Sequence, residues 1–118
     1  MSSRRATSSA YLHLQSIAPV HNRYRLYTIR IEAGDPPTDA PFTVICTWGR
    51  IGQQRQRRVY GCEDPEAVEK LLRRLLRVRQ RHGYGVVEQG EDFPELELLS
   101  EFPVVDRVGE GQLGLFGE

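Results

Sequence analysis

No stretch of these 118 residues approaches the length of an apolar membrane span, and the opening Met-Ser-Ser-Arg-Arg-Ala-Thr-Ser-Ser-Ala has no apolar core of the kind a signal peptide carries. A soluble protein of the cytoplasm, with a nucleoid association if it binds DNA, is the expectation. There are only two cysteines, Cys46 and Cys62, without a Cys-x-x-Cys pair or neighbouring histidines, so a zinc site lacks ligands and no metal is expected. Both read as small core or edge residues. The three histidines, His13, His21 and His82, are scattered, and Gly-x-Ser-x-Gly, His-Glu-x-x-His and P-loop patterns are missing, which argues against an enzyme and against a cofactor. Gly109, Gly111 and Gly114 match Gly-x-Gly-x-x-Gly by letter, but no strand precedes them and no helix can follow, so the dinucleotide reading fails its structural requirement.

A net charge of zero hides a sharp segregation. Between Arg50 and His82 basic residues far outnumber Glu63, Asp64, Glu66 and Glu69, whereas from Glu88 onward Arg107 is the one base among many acids. A basic body with an acidic tail suits a polyanion-binding surface, with the tail pointing away or folding back to compete for it. The plain alternative is a solubilising mixture of charges.

The length fits one domain, and hydrophobic residues make up 39% of it. Residues 1–10, rich in Ser and Arg, read as disordered. Tyr11 to Ile17 reads as a strand that ends at Pro19. Arg23 to Glu32 is a second strand, with Arg25, Tyr27, Ile29 and Ile31 on one face and Tyr24, Leu26, Thr28 and Arg30 on the other. The prolines between Ala33 and Pro41 break the ladder. Phe42 to Arg50 resumes it with Phe42, Val44, Cys46, Trp48 and Arg50 on one face. Arg57 to Cys62 completes a meander after the polar turn Gln53 to Gln56.

Asp64-Pro65-Glu66 is a helix start: a capping carboxylate, a proline at the first helical position and an acid at the positive helix end. Val68, Leu71, Leu72, Leu75 and Leu76 make an apolar stripe, with Leu72 and Leu75 expected in the core. Lys70, Arg73, Arg74, Arg77 and Arg81 form the opposite, basic stripe, and Arg79 lies on the apolar side, where its stem can lie along the core edge. Gly83 ends the helix and Tyr84 to Glu88 returns as a last strand. The expected fold is therefore α+β, an antiparallel sheet packed on one main helix over residues 11–88. Residues 89–103 form an acidic segment with a short helix whose small docking face is Leu96, Leu99 and Phe102. Residues 104–118 are expected to be a flexible tail.

The pentad Trp48-Gly49-Arg50-Ile51-Gly52 is the centre of the functional reading. An indole and a guanidinium on one strand face can stack on a base or sugar and hold its phosphate. A core Trp with a surface Arg is the competing reading. This pentad, preceded by Tyr24-x-x-Tyr27 and followed by Ala67 in the first helical turn and Gly83-Tyr84 at the helix end, resembles the WGR domain of poly(ADP-ribose) polymerases and small bacterial proteins. The resemblance implies an antiparallel sheet with one helix and nucleic-acid binding, notably at DNA breaks, with Trp48 and Arg50 as the contacting pair. Some of the family's Trp and Arg contacts are instead to protein domains. The chain departs from the family in having Gln53-Gln54-Arg55-Gln56 where members often have a turn glycine, and the polymerase catalytic domain is absent, so no ADP-ribosylation is implied.

The expected DNA-binding set is thus Trp48, Arg50, Arg55, Arg57, Arg58, Arg73 and Arg77, acting on ends, nicks or single-strand junctions. A protein-interaction adaptor using the same Trp48 and Arg50 face and basic helix is the rival. Whether Trp48 and Arg50 share a surface with the helical stripe is open at this level. Finally, Gln112-Leu113-Gly114-Leu115-Phe116 is similar to the peptide with which bacterial polymerases and repair proteins dock on the sliding clamp. That likeness implies Leu115 and Phe116 in an apolar pocket, Leu113 in a neighbouring hollow and Gln112 supplying hydrogen bonds. The alternative is an edge strand added to the chain's own sheet.

Overall fold

The computed structural model describes residues 9–33 and 40–109. Five strands, β1 (Tyr11–Ala18), β2 (Arg23–Ala33), β3 (Phe42–Arg50), β4 (Gln56–Cys62) and β5 (Gly85–Gln89), form one sheet in the order β4-β3-β2-β1-β5, with antiparallel pairing throughout. The first four are a meander. Helix α1 (Pro65–Arg81) then carries the chain from the β4 edge to the β1 edge, where β5 pairs. The α+β expectation holds.

Side-chain alternation divides the sheet into two faces with different partners. On one, Leu14 stands opposite Tyr27 and Tyr27 opposite Trp48, while Leu12, Ile29 and Cys46 form the next row and Ile31, Val44 and Tyr60 the one beyond. Helix α1 lays Val68, Leu71, Leu72 and Leu76 on this face, all buried. Leu75, expected in the core, is half-buried at its margin, because the stripe is wider than the part of the helix that meets the sheet. The helix begins as its sequence dictates: Asp64 Oδ1 accepts a hydrogen bond from the Ala67 amide at 2.8 Å and Pro65 occupies the first turn. It ends at Gly83, whose φ of +76° lies in the left-handed region.

The packed body extends past residue 88. Phe93, Leu96, Leu98 and Phe102 are buried in the same core, around a single 3-10 turn at Glu97–Glu101. The expected docking face is met by Leu96 and Phe102, which are buried, and by Leu99, which packs partly buried against the core, while the 3-10 turn adds Leu98 to it. Val104 bridges Val86, and the Gln15 side chain both donates to the Val108 carbonyl (2.9 Å) and accepts from the Val108 amide (2.8 Å). The first residues of the expected free tail are therefore fastened to the sheet. The clamp-like peptide at 112–116 lies outside the described residues, as does most of the proline-rich connection between β2 and β3.

Candidate nucleic-acid interface

At the end of β3 the Trp48 indole stacks on Tyr27 of β2, with ring centres 6.2 Å apart and planes inclined by 27°. The Arg79 guanidinium reaches back from the last turn of α1 to lie 4.4 Å from the Tyr27 ring centre and 5.7 Å from that of Tyr84, and the two tyrosines meet edge to face. Aromatic faces carry negative quadrupole charge, so a cation between them is held electrostatically. Arg79 Nε is nonetheless buried without a hydrogen-bond partner among the described residues. The expectation that its stem follows the core edge is met, and its head is fixed as well.

Around this stack is a depression of about 590 Å3 lined by Arg23, Arg25, Trp48, Arg79, Arg81, His82, Gly83 and Tyr84. Among the described residues its lining contains no carboxylate. Arg23 is braced there by a 3.0 Å bond from Nε to the Ser16 hydroxyl, which in turn donates to the His82 carbonyl at the helix end. Trp48 is half-buried, packed on Tyr27 and the core, and forms part of the lining of this space.

Arg50 is placed differently from the expectation. The register keeps it opposite Arg25, but its guanidinium donates to the Asn22 carbonyl (3.0 Å) and to Asn22 Oδ1 (3.1 Å) and lies 5.2 Å from the centre of the Tyr24 ring. Asn22 has a φ of 54°, so Arg50 holds the left-handed residue that turns β1 into β2. Trp48 and Arg50 are thus not a side-by-side pair around one space: the long arginine arm finds stronger acceptors at the neighbouring turn.

The other expected contacts divide among three surfaces. Arg58 lies over the Tyr60 ring at 5.3 Å, and Tyr60 shares a second depression with Lys70, Arg74 and Arg77, between β4 and α1. Arg73 makes an ion pair with Glu69 at 3.4 Å and sits among Asp64 and Glu66. Arg55 and Arg57 are on the sheet face away from α1. Of the helix, among the described residues, Arg79 and Arg81 alone line the depression that Trp48 lines. Arg25 was legible in the sequence, being on the Tyr27 face, but Arg23, Arg81 and Tyr84 become neighbours of Trp48 only through the β2–β3 register and the crossover of α1.

Neither thiol is activated. Burial pushes the Cys46 thiol up, against a hydrogen bond with Tyr27, and pushes Cys62 up with the Asp64 carboxylate adding to it. Burial, then Cys46, likewise keeps the Tyr27 phenol protonated far above its usual range. Among the described residues no helix is long and apolar enough to cross a membrane.

An antiparallel five-stranded sheet with one crossover helix, carrying an indole and several guanidinium groups about the end of the helix, defines a small α+β domain. The chain belongs to the WGR domain family, whose model matches residues 8–91. No curated protein and no solved structure matched it.

Proposed function

We propose that this protein is a non-catalytic DNA-binding module that takes an unstacked or terminal nucleotide against Trp48. The observation that carries this reading is the depression in which the indole is backed by Tyr27 and surrounded by Arg23, Arg25, Arg79 and Arg81, with no carboxylate in the lining among the described residues. A base or sugar stacks on the open side of the ring, and the guanidinium groups take the flanking phosphates, which fits ends, nicks and single-strand junctions better than intact duplex. Arg50, whose fork is fixed by its bonds to Asn22 outside this lining, meets DNA only where it leaves the depression. Arg58 and Arg77 extend the contact along the β4–α1 surface. Arg73, already paired with Glu69, adds least. Arg55 and Arg57 reach the same strand only if it passes around the β3–β4 turn.

The site of action in this reading is bacterial replication or repair, with Gln112, Leu113, Leu115 and Phe116 docking on the sliding clamp. A weak DNA binder tethered in this way gains effective concentration at its target. Fluorescence anisotropy with nicked, single-stranded and intact duplex DNA, at several salt concentrations, tests the DNA claim. Trp48→Ala and Arg81→Glu should each weaken binding to nicked and single-stranded DNA. Unchanged affinity in both variants would move the site elsewhere, and absence of binding at low salt would favour the protein adaptor. Purified clamp should bind the full chain and not a chain ending at Glu110; equal binding would remove the peptide's role.

A further inference from the structure

The sheet face turned away from α1 carries its own concentration of positive charge, separate from the Trp48 depression. Register aligns Glu88, His13, Thr28, Thr47 and Arg57 in one row across all five strands. At the middle of that row the Thr28 and Thr47 hydroxyls bond each other at 2.5 Å. Arg55 joins from the β3–β4 turn, and the reason is Gly49. A Cβ there would stand 3.3 Å from the Gln54 carbonyl oxygen, a tight approach, at a φ of +156° that side chains rarely adopt, so glycine lets the turn lie over the end of β3 without strain. Arg30 and Arg107 complete the surround of a depression of about 290 Å3.

The charges in this depression do not cancel. Glu88 is engaged by the Tyr11 hydroxyl (2.6 Å) and by Arg107 (2.8 Å), and Arg30 bonds Glu32 at 3.1 Å. Among the described residues neither Arg55 nor Arg57 has an acid within ion-pair distance. His13 registers the resulting field: burial first, then Arg107 and Arg55, hold its pKa below the usual value against the pull of Glu88. Like charges crowded over a sheet repel unless an anion joins them.

The shape limits what that anion can be. The volume is at the low end of ligand pockets, which span about 300–1,000 Å3. Arg107, fastened to Glu88, lines one side, and the next residue, Val108, is held to Gln15 of the same lining, which favours a compact ligand over a continuous polymer. Guanidinium forks match phosphate oxygens in pairs, and threonine hydroxyls can donate to the same group. We propose that this face is a binding site for a small phosphate-bearing ligand, a mono- or diphosphate up to nucleotide size, clasped by Arg55 and Arg57 with Thr28 and Thr47 beneath it. Arg107 and His13 close its far side. This site is independent of the DNA reading and survives if that reading fails.

Calorimetric titration of the full chain in low-salt chloride buffer tests it, with pyrophosphate and a deoxynucleoside diphosphate as probes and a 5′-hydroxyl oligonucleotide as comparator. One equivalent of diphosphate should bind. Arg55→Gln and Arg57→Gln, both at exposed positions, should keep the wild-type urea midpoint and each lose at least about tenfold in affinity, the scale of one charge-assisted hydrogen bond. Trp48→Ala should bind diphosphate as wild type does. No binding by wild type, unchanged binding in both arginine variants, or equal loss in Trp48→Ala would overturn the proposal. Displacement of diphosphate by the 5′-hydroxyl oligonucleotide, in wild type and Trp48→Ala alike, would also overturn it by assigning the pocket to the polymer backbone.

Discussion

Replacing Arg79 by Met separates the folding role of the aromatic stack from its charge. The guanidinium lies 4.4 Å and 5.7 Å from the centres of the Tyr27 and Tyr84 rings. Each such contact is worth about 0.5–1 kcal/mol at a partly wetted site, so the pair contributes about 1–2 kcal/mol. Against this stands the buried Nε, whose missing partner costs about 1–3 kcal/mol. Methionine is unbranched, fills a similar space and gains sulfur–aromatic contact of about 0.3–1.5 kcal/mol. These opposing effects nearly cancel, and Arg79→Met should unfold in urea within about 1 kcal/mol of wild type. DNA binding should behave otherwise: affinity should fall and the slope of log K against log salt should drop by about 1, the signature of one lost phosphate contact. A stability loss above about 3 kcal/mol would show that the stack is structural, and an unchanged salt slope would show that Arg79 meets no phosphate.

Three further perturbations test the scaffold. Leu72→Ala empties a fully buried position and should cost about 2–5 kcal/mol, while Leu75→Ala, at the half-buried margin, should cost less than about half as much; equal shifts in urea midpoint would contradict the helix orientation. Gly49→Ala puts a Cβ 3.3 Å from the Gln54 carbonyl oxygen at a φ of +156°, and should cost about 1–3 kcal/mol in equilibrium denaturation; a neutral result would mean that the turn does not lie over β3. His13 has a folded-state pKa held below its ordinary 6.5 by burial, then by Arg107 and Arg55, with Glu88 opposing. The unfolded chain therefore takes up this proton first, and stability should decline as pH falls from about 6.5 toward the folded-state value. Glu88, held low chiefly by the Tyr11 hydroxyl and then by Arg107, adds a second decline below about 4.5. His13→Gln should remove the upper decline and leave the lower; persistence of the upper one would reassign it.

The strands and the helix were legible because their signals are local. Two-residue alternation in Arg23 to Glu32 and Phe42 to Arg50, and the Asp64-Pro65 start of α1, need no knowledge of distant residues. Gly83 as the stop is of the same kind. What pairs with what is a different matter. That Tyr27 lies beside Trp48 depends on the β2–β3 register, which the proline-rich sequence of the connection does not specify. Arg50 shows the limit of alternation: it fixes where a Cβ points, but a guanidinium several bonds further out goes to the best acceptors, here on Asn22. The row from Glu88 through His13 to Arg57 joins residues from all five strands and had no sequence signature at all. In the segment after Glu88, Leu96 and Phe102 were legible as a docking face, but acidic composition and an assumed helical period concealed Phe93 and Leu98, whose burial also fastens the segment to the core.

Trp48 is the only tryptophan in the chain, so its emission reports directly on the proposed DNA site. Titration with a short single strand and with nicked duplex at low salt, followed by tryptophan fluorescence and by anisotropy of labelled DNA, is the most direct test. Stacking of a base on the indole predicts saturable quenching that follows the anisotropy curve, shares its midpoint and weakens as salt is raised. Full anisotropy change with Trp48 emission unaltered would place the DNA on another surface and contradict the account.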